Sequence, residues 1–321
     1  TELMLGPARP DPFDPGFFHL TKDLNRRGIV PTRATHHHVR HGVWIERAVW
    51  AALTPEQRHA AFVHATALRV TGPQPVFCRT SSAAVWGLPR IEAWPAVART
   101  HVEGLRLRGS DLVHRHLGHA VEPVAFRGLL LTPVARTVID LARTESLMTA
   151  VAAADHALRH EMCTRAELLA EVQALPPRTK RRGIAQLVHD FADPDSMSAG
   201  ESLSRVRMFQ LGLPRPRLQV EREDDRGLIG QVDFDWGDVV GEFDGKVKYR
   251  IPEGADPADA GEIVWREKQR EDRLGRQAKV ARWTWAVAMS PARLAAVLAE
   301  KGIRPQPRCT WFDGLGEQGS A

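Results

Sequence analysis

Two short apolar runs separated by a Gly-Asp pair constrain this chain more than any other segment. Residues 228–236 and 239–244 each read as a strand, and Gly237-Asp238 between them is a turn signal. A hairpin through that turn brings Asp233 near Glu242. Strand alternation puts Glu242 and Asp244 on one face and Phe243 on the other. Upstream, Ser198-Ala199-Gly200-Glu201 is a Ser-x-x-Glu capping box. It opens a helix with Leu203, Val206 and Phe209 on its apolar face and Gly212 as its stop. Glu201, in the first turn of that helix, can point at the hairpin carboxylates. A charged helix over 262–277, a Trp-rich strand over 280–288 and a helix over 291–301 complete a small α/β domain.

Carboxylates converging at one sheet end repel each other unless a cation sits among them. An all-oxygen donor set suits Mg²⁺ or Mn²⁺. The expected ligands are Glu201, Asp233, Glu242 and Asp244. Such an ion can activate water and stabilise charge developing on a phosphodiester. The competing reading is that these acids are strand-end and turn residues, and that Glu201 serves only as a helix cap.

The N-terminal region reads differently. Leu20 and Leu24 are four apart and Gly28 is a helix stop; Pro31-Thr32-Arg33 can begin a second helix reaching Arg40. Gly42 then breaks the chain before an aromatic-rich strand over 43–50. Helix, Gly turn, helix and strand outline a winged helix-turn-helix, with Arg33, His37 and Arg40 on the groove-facing helix. A metal site in His36-His37-His38 and His41 is disfavoured, because at most His37 and His41 share a helical face. Further helices are expected over 54–70, 81–89, 132–142, 146–160 and 164–174, and strands over 97–103, 112–116 and 123–126. Residues 176–197 read as a boundary. Its cations, Lys180, Arg181 and Arg182 with Arg178, are either a solvated linker or a phosphate contact.

A length of 321 residues is enough for two or three domains, and 43% hydrophobic with 26% charged residues excludes wholesale disorder. The expected class is α/β (α+β multidomain): a winged helix-turn-helix over 1–75, an α+β middle domain over 76–190 and an α/β domain over 191–321. The formal net charge is +5, which permits a polyanion partner without demanding one. Three scattered cysteines, Cys78, Cys163 and Cys309, form no CxxC or zinc spacing and fit a reduced cytoplasm. No apolar run is long enough to span a membrane and no signal peptide opens the chain. No small-molecule cofactor is expected.

At Gly200-Glu201, Asp233, Glu242-Phe243-Asp244-Gly245 and the charged helix 265–274, the sequence resembles the PD-(D/E)XK nuclease superfamily. More narrowly, it resembles small proteins related to the very short patch repair endonucleases. The resemblance covers 195–300 and implies a restriction-endonuclease-like domain. It assigns the acidic helix residue to Glu201, the first strand acid to Asp233 and the second strand motif to Glu242. One departure stands out: Asp244 occupies the lysine position of Glu-x-Lys, so Lys246 or Lys268 would have to supply the missing cation.

Thr80-Ser81-Ser82-Ala83-Ala84-Val85-Trp86-Gly87-Leu88 and 131–142 resemble the AbiEi-type antitoxin proteins, which implies DNA binding and autorepression. The expected function is therefore a metal-dependent DNA endonuclease or nickase targeted by an N-terminal DNA-binding domain. The alternative is a DNA-binding repressor of the antitoxin type with an inactive nuclease-like domain. DNA is the expected partner, and a homodimer is compatible with either reading.

Overall fold

The computed structural model describes residues 13–102, 112–117, 121–245 and 257–313. The chain is mixed α/β and divides into two compact units, Thr1–Ala192 and Asp193–Ala321. Among the described residues, no helix is long and apolar enough to cross a membrane.

The first unit opens with β1 (His19–Leu20), α1 (Thr21–Arg26), β2 (His36–Arg40), β3 (Val43–Glu46), α2 (Arg47–Ala52) and α3 (Pro55–Ala67). Helix α1 ends as expected, at Gly28 with φ +68°. The second helix does not form, so the helix-turn-helix reading of these residues is corrected. Residues His36–Arg40, with Arg40 and His37 among them, are a strand paired antiparallel with β3. Two local features oppose a helix. Thr32 and Thr35 bond each other through hydroxyls at 3.1 Å, an arrangement that competes with helix propagation. Gly42, at φ +74°, folds the chain back on itself. The resulting hairpin buries Val43 and Ile45 completely, a gain that a solvated helix would forgo. The strand order is β1-β3-β2. The strand expected over 43–50 stops at Glu46, and α2 takes its second half. Helix α3 starts with a reciprocal capping box between Thr54 and Gln57, with Pro55 in its first turn.

The unit continues with β4 (Val76–Phe77), α4 (Arg79–Trp86), β5 (Ala98–Val102), β6 (Val113–Leu117), β7 (Val124–Phe126) and β8 (Leu129–Leu131). These strands form a sheet of order β6-β5-β4-β8-β7, with β6 parallel to β5. Gly87, at φ +77°, closes α4. Helices α5 (Val134–Thr144), α6 (Leu147–Arg159), α7 (Arg165–Ala174) and α8 (Arg182–Phe191) follow. Helix α8 lies within the stretch expected to be a boundary. It forms because Ala185, Val188 and Phe191, at helical spacing, are buried.

The second unit consists of α9 (Ala199–Gln210), β9 (Arg217–Asp224), β10 (Gly227–Asp235), β11 (Val239–Asp244), α10 (Pro257–Gln277), β12 (Lys279–Thr284), α11 (Trp285–Ala288) and α12 (Pro291–Lys301). Its sheet has the order β12-β11-β10-β9. Strands β9, β10 and β11 form an antiparallel meander, and β12 returns through α10 to lie parallel to β11. Leu274 of α10 packs with Ile229, Val232 and Val240. Trp283 of β12 stacks on Phe234 at 5.2 Å and donates its indole N–H to Ser204 Oγ of α9 at 2.8 Å.

Candidate functional site

Two glycines place the acids of the second unit. A Cβ on Gly200 would lie 2.0 Å from the Phe243 ring, so α9 seats against β11 only because position 200 lacks one. That contact fixes the first turn of α9, and Glu201 with it. A Cβ on Gly241 would lie 2.5 Å from Trp283 and 3.2 Å from Phe234 Cβ. Gly241 thus lets β11 close over the stacked rings, setting Glu242 next in line. The hairpin turn forms where expected, with Trp236 N–H donating to Val239 C=O at 2.9 Å. Asp235, buried beneath it, accepts from Gly237 N–H at 2.8 Å, Arg222 Nε at 2.7 Å and Arg217 Nη2 at 3.0 Å. These donors, against the opposing effect of burial, hold its carboxyl below the ordinary carboxylate range.

The register of the neighbouring pairs puts one residue from each strand at about the same level, where Gln219 at φ +49° interrupts the β9–β10 pairing and the β10–β11 pairing ends at Phe234–Gly241. Gln219 of β9 lies between the pairs Leu218–Phe234 and Val220–Val232, opposite Asp233. Asp233 lies one step beyond the pair Phe234–Gly241, opposite Glu242, and its Oδ2 accepts from Phe243 N–H at 2.7 Å. Glu242 pairs in register with Arg282 of β12. Glu201 joins at the Gln219 end: its Oε2 accepts from Gln219 Nε2 at 2.9 Å and from Met197 N–H at 2.8 Å, and its Oε1 from Ser198 Oγ at 2.7 Å. The capping box is therefore one-sided, because the Glu201 carboxylate turns to Met197 and Gln219.

At the other end Glu242 is held between two arginines. Arg270 Nη2 donates to its Oε1 at 2.7 Å and Arg282 Nε to its Oε2 at 2.9 Å. Arg270 crosses β10 over Gly230, where a Cβ would meet its Nε at 2.9 Å, and also donates to Gln231 C=O at 2.8 Å. Arg282 further pairs with Glu271 at 3.3 Å.

The expected site residues are thus placed unequally. Asp233 and Glu242 are brought side by side. Glu201 accepts from Gln219, which lies at the same level of the sheet on the neighbouring strand β9. Asp244 is half-buried and pairs in register with Thr284 of β12, and its side chain makes no hydrogen bond or ion pair among the described residues. Lys246 lies outside the described residues. Lys268 is exposed, and two residues along a helix turn it about 200° away from Arg270. The cations beside the acids are Arg270 and Arg282, which sequence reasoning missed; strand alternation offers Arg282 a face, but only the parallel register of β12 with β11 sets it against Glu242. Among the described residues no three His, Cys, Asp or Glu form a ready metal cage. The donor chemistry of Asp233 and Glu242, hard oxygens on adjacent strands, fits a divalent cation, with Glu242 released from one arginine.

In the first unit, Arg33 is exposed and its carbonyl accepts from Arg47 Nε at 2.6 Å. His37 stacks flat on Trp50 at 3.9 Å. Burial, followed by Arg47, Arg58 and His38, lowers its pKa. The Arg40 guanidinium sits over the Phe62 ring at 5.2 Å. His37 and Arg40 therefore pack on aromatic rings instead of projecting from a groove-reading helix. Lys180 is exposed, Arg181 takes a left-handed φ of +61° before α8, and Arg182 donates to Leu175 C=O at 3.4 Å.

No protein-family model matches the chain. Two uncharacterised proteins of Mycobacterium tuberculosis, one from strain CDC 1551 / Oshkosh and one from strain ATCC 25618 / H37Rv, are each 32% identical to it over 197 residues. The match covers 60% of this chain and 70% of each relative. The chain belongs to the same family as these two mycobacterial proteins.

Proposed function

We propose that the second unit is a restriction-endonuclease-like domain and hydrolyses phosphodiester bonds in DNA as a metal-dependent endonuclease or nickase. The observation that carries this reading is the placement of two acids on adjacent strands: Asp233 Oδ2 accepts from Phe243 N–H, next to Glu242, and Glu242 pairs in register with Arg282. The element order, with helix α9 before the meander and α10 before a parallel β12, supports it. Asp233 and Glu242 would hold Mg²⁺ or Mn²⁺, with Asp244 on the same strand as a further oxygen donor. Bound there, the ion would supply an activated water and charge stabilisation at the attacked phosphate. Gln219 ties Glu201 to the row and keeps its carboxylate oriented. Arg282 and Arg270, in place of the absent motif lysine, would put positive charge where a phosphate oxygen gains it. The first unit would bind DNA through Arg33, Lys180, Arg181 and the β2–β3 hairpin, in the cytoplasm.

The test uses the full chain with supercoiled plasmid, linear duplex, mismatched and branched oligonucleotides, and single strands. Each is incubated with Mg²⁺, with Mn²⁺ and with EDTA, beside Asp233→Ala and Glu242→Gln. The expected result is metal-dependent cutting that both variants lose while DNA binding persists. Absence of cutting on every substrate overturns the reading.

A second reading is favoured by a specific contact. Glu242 already has a guanidinium on each oxygen, so its charge is balanced without an ion. This suits a DNA-binding repressor of the antitoxin type whose nuclease-like domain is inactive. Asp233→Ala would then leave salt-sensitive DNA binding intact with no cleavage to lose.

A further inference from the structure

We propose that Arg99, Arg79, His114 and His116 form a binding site for a phosphate monoester in the first unit. This site is separate from the carboxylate row, and the proposal does not rest on the nuclease reading. Strands β5 and β6 run parallel with Arg99 opposite His114 and His101 opposite His116. Arg99 Nη1 lies 3.0 Å from His114 Nδ1 and 3.3 Å from His116 Nε2. The same strand is tied to the start of α4: Cys78 N–H donates to Arg99 C=O at 3.0 Å, and Arg99 N–H to Ser81 Oγ at 2.8 Å. Arg79, next after Cys78, is therefore held at the same corner. It sits there at φ +54°, a left-handed backbone that a non-glycine residue rarely adopts and that clusters at functional sites.

The charges at this corner are unbalanced. Neighbouring arginines have acids: Arg90 pairs with Glu145, Arg136 with Asp140 and Glu171, and Arg143 with Asp140. Among the described residues, no carboxylate pairs with Arg79 or Arg99. Instead the Arg99 guanidinium donates to imidazole nitrogens, which accept only when unprotonated. His114 Nδ1 and His116 Nε2 are thereby both turned toward the Arg99 guanidinium. Burial, then the charges of Arg79, Arg99, His114 and His101, lower the His116 pKa to about 4. Two guanidiniums that no carboxylate pairs with among the described residues, beside two imidazoles, match a dianion with three terminal oxygens. A carboxylate would balance only one of the two cations.

The test follows the ring signals of His114 and His116 in the ¹⁵N-histidine-labelled full chain while inorganic phosphate is titrated at constant ionic strength. His114→Gln and His116→Gln assign the signals. The expected result is a saturable shift, with affinity falling about tenfold in Arg99→Gln and in Arg79→Gln. Arg79 is only half-buried, so its variant carries the test should Arg99→Gln fail to fold by far-UV circular dichroism. No saturable shift, or unchanged affinity in the folded variants, overturns the proposal. A single-stranded oligonucleotide with a 5′-phosphate, compared with its 5′-hydroxyl form, separates the sources. Preference for the phosphorylated strand, lost in Arg79→Gln, assigns a nucleic-acid end. Saturation by inorganic phosphate with no such preference assigns a small phosphate ester.

Discussion

Replacing Gly200 with Ala sets two effects of known size against each other. In an exposed helix the change is favourable, because alanine gains up to about 1 kcal/mol over glycine. Here the new Cβ would lie 2.0 Å from Phe243 Cε1 and 2.1 Å from Cζ. Phe243 is buried, and its ring meets Trp285 edge-on at 6.2 Å, so it has little room to retreat. Overpacking of this kind costs about 1–3 kcal/mol. The expected net effect is destabilisation by about 1–2 kcal/mol, with α9 displaced and Glu201 pulled from Gln219. In a Phe243→Leu background the obstructing ring is gone, and Gly200→Ala should become neutral or stabilising. The assay is hydrogen exchange of peptides covering Ala199–Gln210 in all four combinations, read against α5 of the first unit as an internal reference. Local exchange is preferred because two units do not guarantee a two-state melt. A stabilising Gly200→Ala in the native background would refute the argument, as would an equal penalty in both backgrounds, since contacting residues should couple by about 1 kcal/mol or more.

Further outcomes follow from other contacts. Arg222→Ala removes a donor from buried Asp235 and should destabilise the chain by about 3 kcal/mol in urea titration, because it strands part of a buried charge. Asp235 has a folded pKa below its ordinary 3.8, so its contribution is complete above about pH 5 and lost as pH falls through the folded value; Arg222→Ala should flatten that acid limb. Gly241→Ala should disrupt the stack of Phe234 and Trp283 and cost about 1–3 kcal/mol, read as a changed near-ultraviolet circular dichroism band. Burial pushes the Cys78 and Cys163 thiols up to about 12, whereas Cys309 is exposed; iodoacetamide at about pH 8 should alkylate Cys309 alone in the native chain, as mass spectrometry of its peptides would show.

What the sequence by itself determined was local. Thr54-Pro55 and Ser198-x-x-Glu201 marked helix starts, and Gly28, Gly87 and Gly212 marked stops, because caps and left-handed glycines act within one turn of the backbone. Gly237-Asp238 likewise fixed the hairpin that puts Asp233 beside Glu242. Tertiary structure decided wherever pairing partners were distant or local preference was divided. Residues 36–40 became a strand because Val43 and Ile45 found a core. Strand β9, Arg217–Asp224, has too few apolar residues to announce itself and exists through its pairing with β10. Helix α8 took up a segment read as a linker by burying three side chains. The carboxylate row depended most on the fold. Arg282 stands 40 residues beyond Glu242 and meets it only because α10 returns the chain parallel to β11. Arg270 reaches the same acid across Gly230, a contact set by the packing of α10 on β10. Periodicity records which face of an element is apolar. It carries no information on which residue of a distant strand will share its rung, because that register is settled by packing across the whole sheet.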